Sequence, residues 1–125
     1  MAKIYSIILL SIIFSFIAIS QEDNKIAIEI DDSGVDDIVG RRLVFQIKEK
    51  IRESEEMRIT YSEDDTRVKI IIQTLPRFKD DESASTIYSI IWVLKGSDGP
   101  HILLNNTLGY CGSTSVESSA ESIVA

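Results

Sequence analysis

Between residues 36 and 56 the apolar side chains Val39, Leu43, Ile47 and Ile51 recur at every fourth position, and Val44 widens the stripe. Only an α-helix brings residues at that spacing into one line. Arg41, Lys48, Glu49, Arg52 and Glu53 occupy the rest of the surface, no proline interrupts the run, and Asp36 and Asp37 stand where the helix dipole favours carboxylates. A helix with one apolar stripe must bury it against something. Most of the remaining chain reads as strand, so the stripe commits the chain to layers of helix on sheet.

The strands are read from period-two alternation and turn residues. Ile26, Ile28 and Ile30 share one face of a first strand, and Asp31-Asp32-Ser33-Gly34 reads as the turn that ends it. Residues 57–62 and 67–75, separated by Glu63-Asp64-Asp65-Thr66, read as a β-hairpin with Val68, Ile70, Ile72 and Thr74 on one face. A polar loop spans 76–85, and a strand follows over 86–95. After the turn Gly96-Ser97-Asp98-Gly99-Pro100, another strand covers 101–110, with Ile102, Leu104, Leu108 and Tyr110 of one parity. Thr114-Ser115-Val116-Glu117 matches a capping box, followed by a helical stripe of Val116, Ala120, Ile123 and Val124. The order is strand, helix, four strands, helix. It predicts an α+β two-layer sandwich, with two helices on one face of a mainly antiparallel sheet of about five strands. Neither an internal repeat nor a linker divides it, so residues 21–125 are expected to form one domain.

Residues 1–20 differ in kind. A basic start, Met1-Ala2-Lys3, precedes an apolar run from Ile4 to Ile19, and Ala18-Ile19-Ser20 then meets the polar Gln21-Glu22-Asp23. This is the layout of a secretory signal peptide cleaved between Ser20 and Gln21. The alternative is a retained membrane anchor, but the run falls short of the roughly 20 residues that span a bilayer. Membrane contact is expected only through an uncleaved leader, and the mature domain is expected in the periplasm or outside the cell. Cleavage removes only Lys3 among the charged residues, taking the net charge from -7 to -8. So acidic a domain is repelled by phosphates, and no nucleic-acid partner is expected.

The segments Gly40–Arg52, Met57–Ser62, Ser85–Trp92 and Gly109-Tyr110-Cys111-Gly112 resemble small uncharacterised secreted bacterial proteins. In element order alone the chain also looks like the TolB N-terminal domain and the LptE-type envelope lipoproteins. That resemblance implies binding to protein or lipid-bearing partners. LptE-type proteins are lipid-anchored through a cysteine that this leader lacks, and no functional residue carries over.

Catalytic constellations are sparse. There is one cysteine and one histidine, which excludes a disulfide framework and cysteine-based zinc. Cys111 precedes the last helix, where a thiol can become reactive, so a thiol enzyme or redox protein is one alternative; a small buried residue at a tight junction is the other. His101 lies ten residues away, about 33 Å along a strand, too far for a dyad. Asp31, Asp32, Asp36 and Asp37 lack the order of an EF-hand loop and read as turn and cap residues. The acidic runs 63–65 and 80–82 read as solvated loops. Asn105-Asn106-Thr107 matches the glycosylation pattern but falls inside a strand. No cofactor and no metal site is expected.

With helices on one side only, the other face of the sheet is left open. Tyr88, Ile90, Trp92 and Leu94 share one face of their strand, while Ile87, Ser89, Ile91 and Val93 share the other. The first set is bulkier and is assigned to the open face, leaving the β-branched set beneath the helices. Ile38 and Phe45 lie seven positions apart on the helix side away from its stripe. These six residues, Tyr88, Ile90, Trp92, Leu94, Ile38 and Phe45, are the candidates for contact with a protein partner or a second copy. The competing reading is ordinary packing beneath loop 76–85. Three functions follow: an exported, non-enzymatic domain that binds a protein; a thiol-based protein using Cys111; and a self-associating structural protein.

Overall fold

The computed structural model describes residues 24–81 and 83–125; the expected leader and its cleavage junction lie outside the described residues. The described residues form five strands and two helices: β1 (Ile26–Gly34), α1 (Ile38–Glu53), β2 (Met57–Ile59), β3 (Arg67–Pro76), β4 (Ser85–Lys95), β5 (Ile102–Gly112) and α2 (Val116–Val124). The strands form one open sheet in the order β2-β1-β3-β4-β5. The long β3–β4 and β4–β5 ladders are antiparallel. The short ladders on either side of β1 are parallel. The sheet is therefore mainly antiparallel, with both helices on one face, as the α+β two-layer reading expects.

The core lies between the α1 stripe and the sheet. Val39, Leu43, Ile47 and Ile51 meet Ile28, Ile70, Ile72 and Ile90, and Val116 and Ala120 bring α2 into the same cluster. Each Leu or Ile fully buried there contributes about 1.5–3 kcal/mol relative to exposure.

Asp37 seats α1 on the sheet. Its Oδ2 accepts the Gly40 N–H at 2.9 Å, an N-cap bond, while its Oδ1 accepts the Thr74 hydroxyl of β3. Gly40 is required by the same contact. A Cβ there would lie 2.5 Å from Asp37 Oδ1 and closer still to Thr74 Oγ1.

Four local expectations are corrected. Residues 57–62 and 67–75 do not form a hairpin. β1 lies between β2 and β3 and pairs with both, and Tyr61 falls beyond β2, exposed. β2 follows α1 as the parallel partner of β1, the usual outcome of a strand–helix–strand unit. Residues 60–66 then carry the chain to the other side of β1, anchored where the Thr60 N–H meets the Ile28 carbonyl at 2.8 Å. Second, residues 31–34 extend β1 instead of ending it. The polar cluster is absorbed by a register irregularity between Asp31 and Gly34 and by Ser33 bonding to the Asp31 carboxylate. Third, the α2 cap is Ser115, whose hydroxyl is taken up by the Gly112 backbone, so the capping box from Thr114 does not form. Fourth, the parity of β5 breaks at a bulge. Val93 pairs with Leu103 but Trp92 pairs with Asn105, so Leu104 is the extra residue. Ile102 thus belongs to the helix side, and Leu108 and Tyr110 to the opposite side.

Candidate functional site

Register assigns the strand residues to faces. The helix-side row can be followed through paired neighbours: Ile28 sits beside Val68, Ile30 beside Ile70, and Ile70 beside Trp92. The same ladder puts Tyr88 beside Thr74, Ile90 beside Ile72 and Leu94 beside Val68. The row Tyr88, Ile90, Trp92 and Leu94 therefore faces the helices, opposite to the sequence expectation. Ile90 is fully buried, and Tyr88 and Trp92 pack against the core. Volume decides the orientation. The bulkier row fills the space under α1 and α2, and Gly109 opposite Tyr88 leaves room for its ring: a Cβ at Gly109 would come within 2.6 Å of the phenol oxygen. Burial, with a smaller contribution from Cys111, raises the Tyr88 pKa above the usual phenol value. Trp92 also lines a groove of about 310 Å³ with Ile26, Met57, Leu104 and Ile123.

The open face carries the other parity. From β3 come Lys69, Ile71, Gln73 and Leu75; from β4, Ile87, Ser89, Ile91 and Val93; from β5, Leu103, Asn106, Leu108 and Tyr110. Leu108 is 78% exposed, Tyr110 68%, Leu75 65% and Leu103 63%. The described residues of loop 76–85 do not cover them. Arg77 instead lies over the rings of Phe78 and Tyr110, at 5.2 and 4.8 Å from their centroids, a cation–π arrangement at the end of the face.

Toward β1 the same face turns ionic. The Arg67 side chain is only 2% exposed; it pairs with Glu29 and donates to the carbonyls of Glu63 and Asp65 at 2.9 and 3.1 Å. Lys69 lies between Glu29 and Asp31, at 3.7 and 3.4 Å. Burial raises the Glu29 pKa, but Arg67, Lys69 and Lys95 outweigh it and hold the carboxyl below its ordinary value. Bonds from Ser33, with Lys69 nearby, hold Asp31 down as well. The face is thus divided: a charged end that satisfies itself, and an apolar end toward β5 that the described residues leave without cover.

The other sequence candidates are scattered. Ile38 and Phe45 are exposed on α1, at 54% and 57%, but on the helix layer, away from the open face. Phe45 borders a groove of about 680 Å³ with Arg41, Arg42, Gln46 and Thr114. Cys111 is buried in the core, its Sγ 3.4 Å from the Gly112 carbonyl. A thiol there packs as a small apolar group. His101 is exposed at the opposite end of β5. The acidic residues near α1 have partners of their own: Asp31 with Ser33 and Lys69, Asp32 with Lys48, Asp36 with Arg41, and Asp37 with Gly40 and Thr74. Among the described residues no helix is long and apolar enough to cross a membrane.

No protein-family model and no curated protein matches the chain. The open-face residues Leu75, Leu103, Leu108 and Tyr110 are those the sequence reading missed. Strand parity names both rows of β4, and the signal that separates them is size, with Gly109 set against the largest member but one of the buried row.

Proposed function

We propose that this chain is an exported, non-enzymatic domain, periplasmic or secreted, that binds a protein partner through the apolar end of its open sheet face. One observation carries the reading: Leu75, Ile87, Leu108 and Tyr110 lie side by side on a face that no helix or loop among the described residues covers. Apolar patches of a few hundred Å² on a small domain commonly mark contact surfaces, and full burial of each such side chain contributes about 1.5–3 kcal/mol. Export rests on the apolar leader and the small residues before Gln21.

Site-specific crosslinking tests the reading. A photoreactive amino acid replaces Leu75 or Ile87 in cells expressing the full chain, with Asp36 on the helix layer as the control position. The expected result is a protein adduct from the two face positions and not from Asp36. Equal adducts at all three, or none from the face, would overturn the face assignment. N-terminal sequencing of the recovered protein checks export: a start at Gln21 is expected, and a start at Met1 refutes cleavage.

A further inference from the structure

We propose that the free edge of β5 pairs with the β5 edge of a second copy, in antiparallel sense, joining two five-stranded sheets into one across a two-fold axis. Three observations lead there.

The first is the edge itself. β5 is 11 residues long, pairs among the described residues with β4 on one side only, and contains neither a charged residue nor a proline. Edge strands of monomeric proteins are usually kept short or guarded by lysine, proline or a bulge. β5 has one bulge, at Leu104 near its start, and residues 105–112 run in regular register beyond it. α2 does not lie along the edge: its end packs near Ile26, Met57 and Trp92, and residues 102–108 are exposed.

The second is the opposite edge. β2 has three residues, with Arg58 at its centre and Glu55 and Glu56 just before it. It is short and charged, the guarded kind. With one usable edge, head-to-tail growth has no second surface to use, so association is isologous and closes at two copies.

The third is charge. A chain of net charge -7 repels its own kind. Lys95 is the one charged residue of β4, and β5 has none. The acids of β1, α1 and the 55–65 segment lie toward the other edge. Pairing through β5 therefore keeps those acids far apart compared with a screening length of about 8 Å. Asp98 lies in the turn before β5 and Glu117 and Glu121 on the helix after it, so a second copy meets fewer like charges along this edge than along β2, though not none.

Antiparallel pairing keeps like faces together. Leu108 and Tyr110 of both copies fall on the same side of the joined sheet, and the two apolar ends of the open faces become one strip. An edge about 36 Å long and one layer, about 10 Å, thick has a cross-section on the order of 400 Å². That is below the roughly 800 Å² per partner of a standard interface, so the dimer belongs to the weak, concentration-dependent class.

Sedimentation of the purified protein, expressed from the full chain, tests this between about 1 and 300 µM, a range spanning weak-complex affinities. The wild type is expected to shift from monomer to dimer mass across the range. The Asn106→Lys/Thr107→Lys double variant places like charges on both sides of the two-fold and is expected to stay monomeric, with circular dichroism showing it folded. Leu75→Lys, on the face but two strands from the edge, is expected to keep the dimer. A wild type that stays monomeric throughout overturns the proposal and leaves the face crosslinking result standing. A dimer that survives the edge charges but is lost with Leu75→Lys also overturns it, by placing the copies face to face. A dimer unaffected by any of these substitutions puts the contact elsewhere and overturns it too.

Discussion

Replacing Asp37 by alanine should destabilise the fold by about 2–4 kcal/mol. Two losses add up. The Gly40 N–H at the start of α1 loses its cap, worth about 1 kcal/mol. The Thr74 hydroxyl of β3 loses its acceptor in a partly buried site, worth about 1–3 kcal/mol. One effect opposes them, since a buried carboxylate is relieved of its desolvation. The direction of the Asp37 pKa shows which side wins. Burial raises it, yet the bonds from Thr74 and the Gly40 N–H help to leave it below the ordinary aspartate value of 3.8. The folded state therefore favours the charged carboxylate. Because the folded pKa is depressed, this stabilisation is fully present above the unfolded pKa and fades as pH falls through the folded value. Urea denaturation at pH 7 measures the difference, and a loss of this size lowers the melting temperature by on the order of 10–25 °C in a domain of about 100 residues. Asp37→Asn keeps a cap oxygen but has no charge to titrate, so its stability should fall less steeply than that of the wild type between about pH 5 and pH 2. An Asp37→Ala variant within about 0.5 kcal/mol of wild type, or an Asn variant with the full acid dependence, would refute the claim that this carboxylate ties α1 to the sheet.

Gly40→Ala should cost more than a helix-propensity gain of about 1 kcal/mol can offset, because the added methyl strikes Asp37 and Thr74; a variant as stable as wild type would show that α1 can shift off β3 freely. Cys111, 1% exposed, should react with a thiol reagent only as fast as the protein opens, so immediate labelling of folded protein would remove it from the core. Trp92 should fluoresce as a largely shielded residue and resist iodide, since its row faces the helices; strong quenching would return it to the open face. Leu43→Asp should abolish the cooperative fold, an unpaired charge at a fully buried site being costly, and a cooperative unfolding transition near that of wild type would refute the α1 stripe as core.

The α1 stripe, the number and order of the strands, and the one-sided helix layer were legible from the chain because each depends on local periodicity. Val39, Leu43, Ile47 and Ile51 line up whatever they pack against. The scarcity of cysteine and histidine is likewise a property of composition, and so is the excess of acidic residues. A sheet face that the described residues leave open followed from counting layers, though the side chains on it did not.

Tertiary structure decided what depends on neighbours distant in sequence. Alternation in β4 yields two rows, and nothing within residues 85–95 says which is inside. Trp92 turns inward because it pairs beside Ile70, and Tyr88 because Gly109 makes room for it. The apparent hairpin over 57–75 is divided because β1 competes for the same edges: strand pairing maximises hydrogen bonds and burial over the whole sheet, and adjacency in sequence is only one way to do so. One extra residue at Leu104 then moves Leu108 and Tyr110 away from the parity of Ile102 and onto the open face. A strand's period is set by its own backbone, but its face and its partner are set by the free energy of the assembled sheet, which no single segment contains.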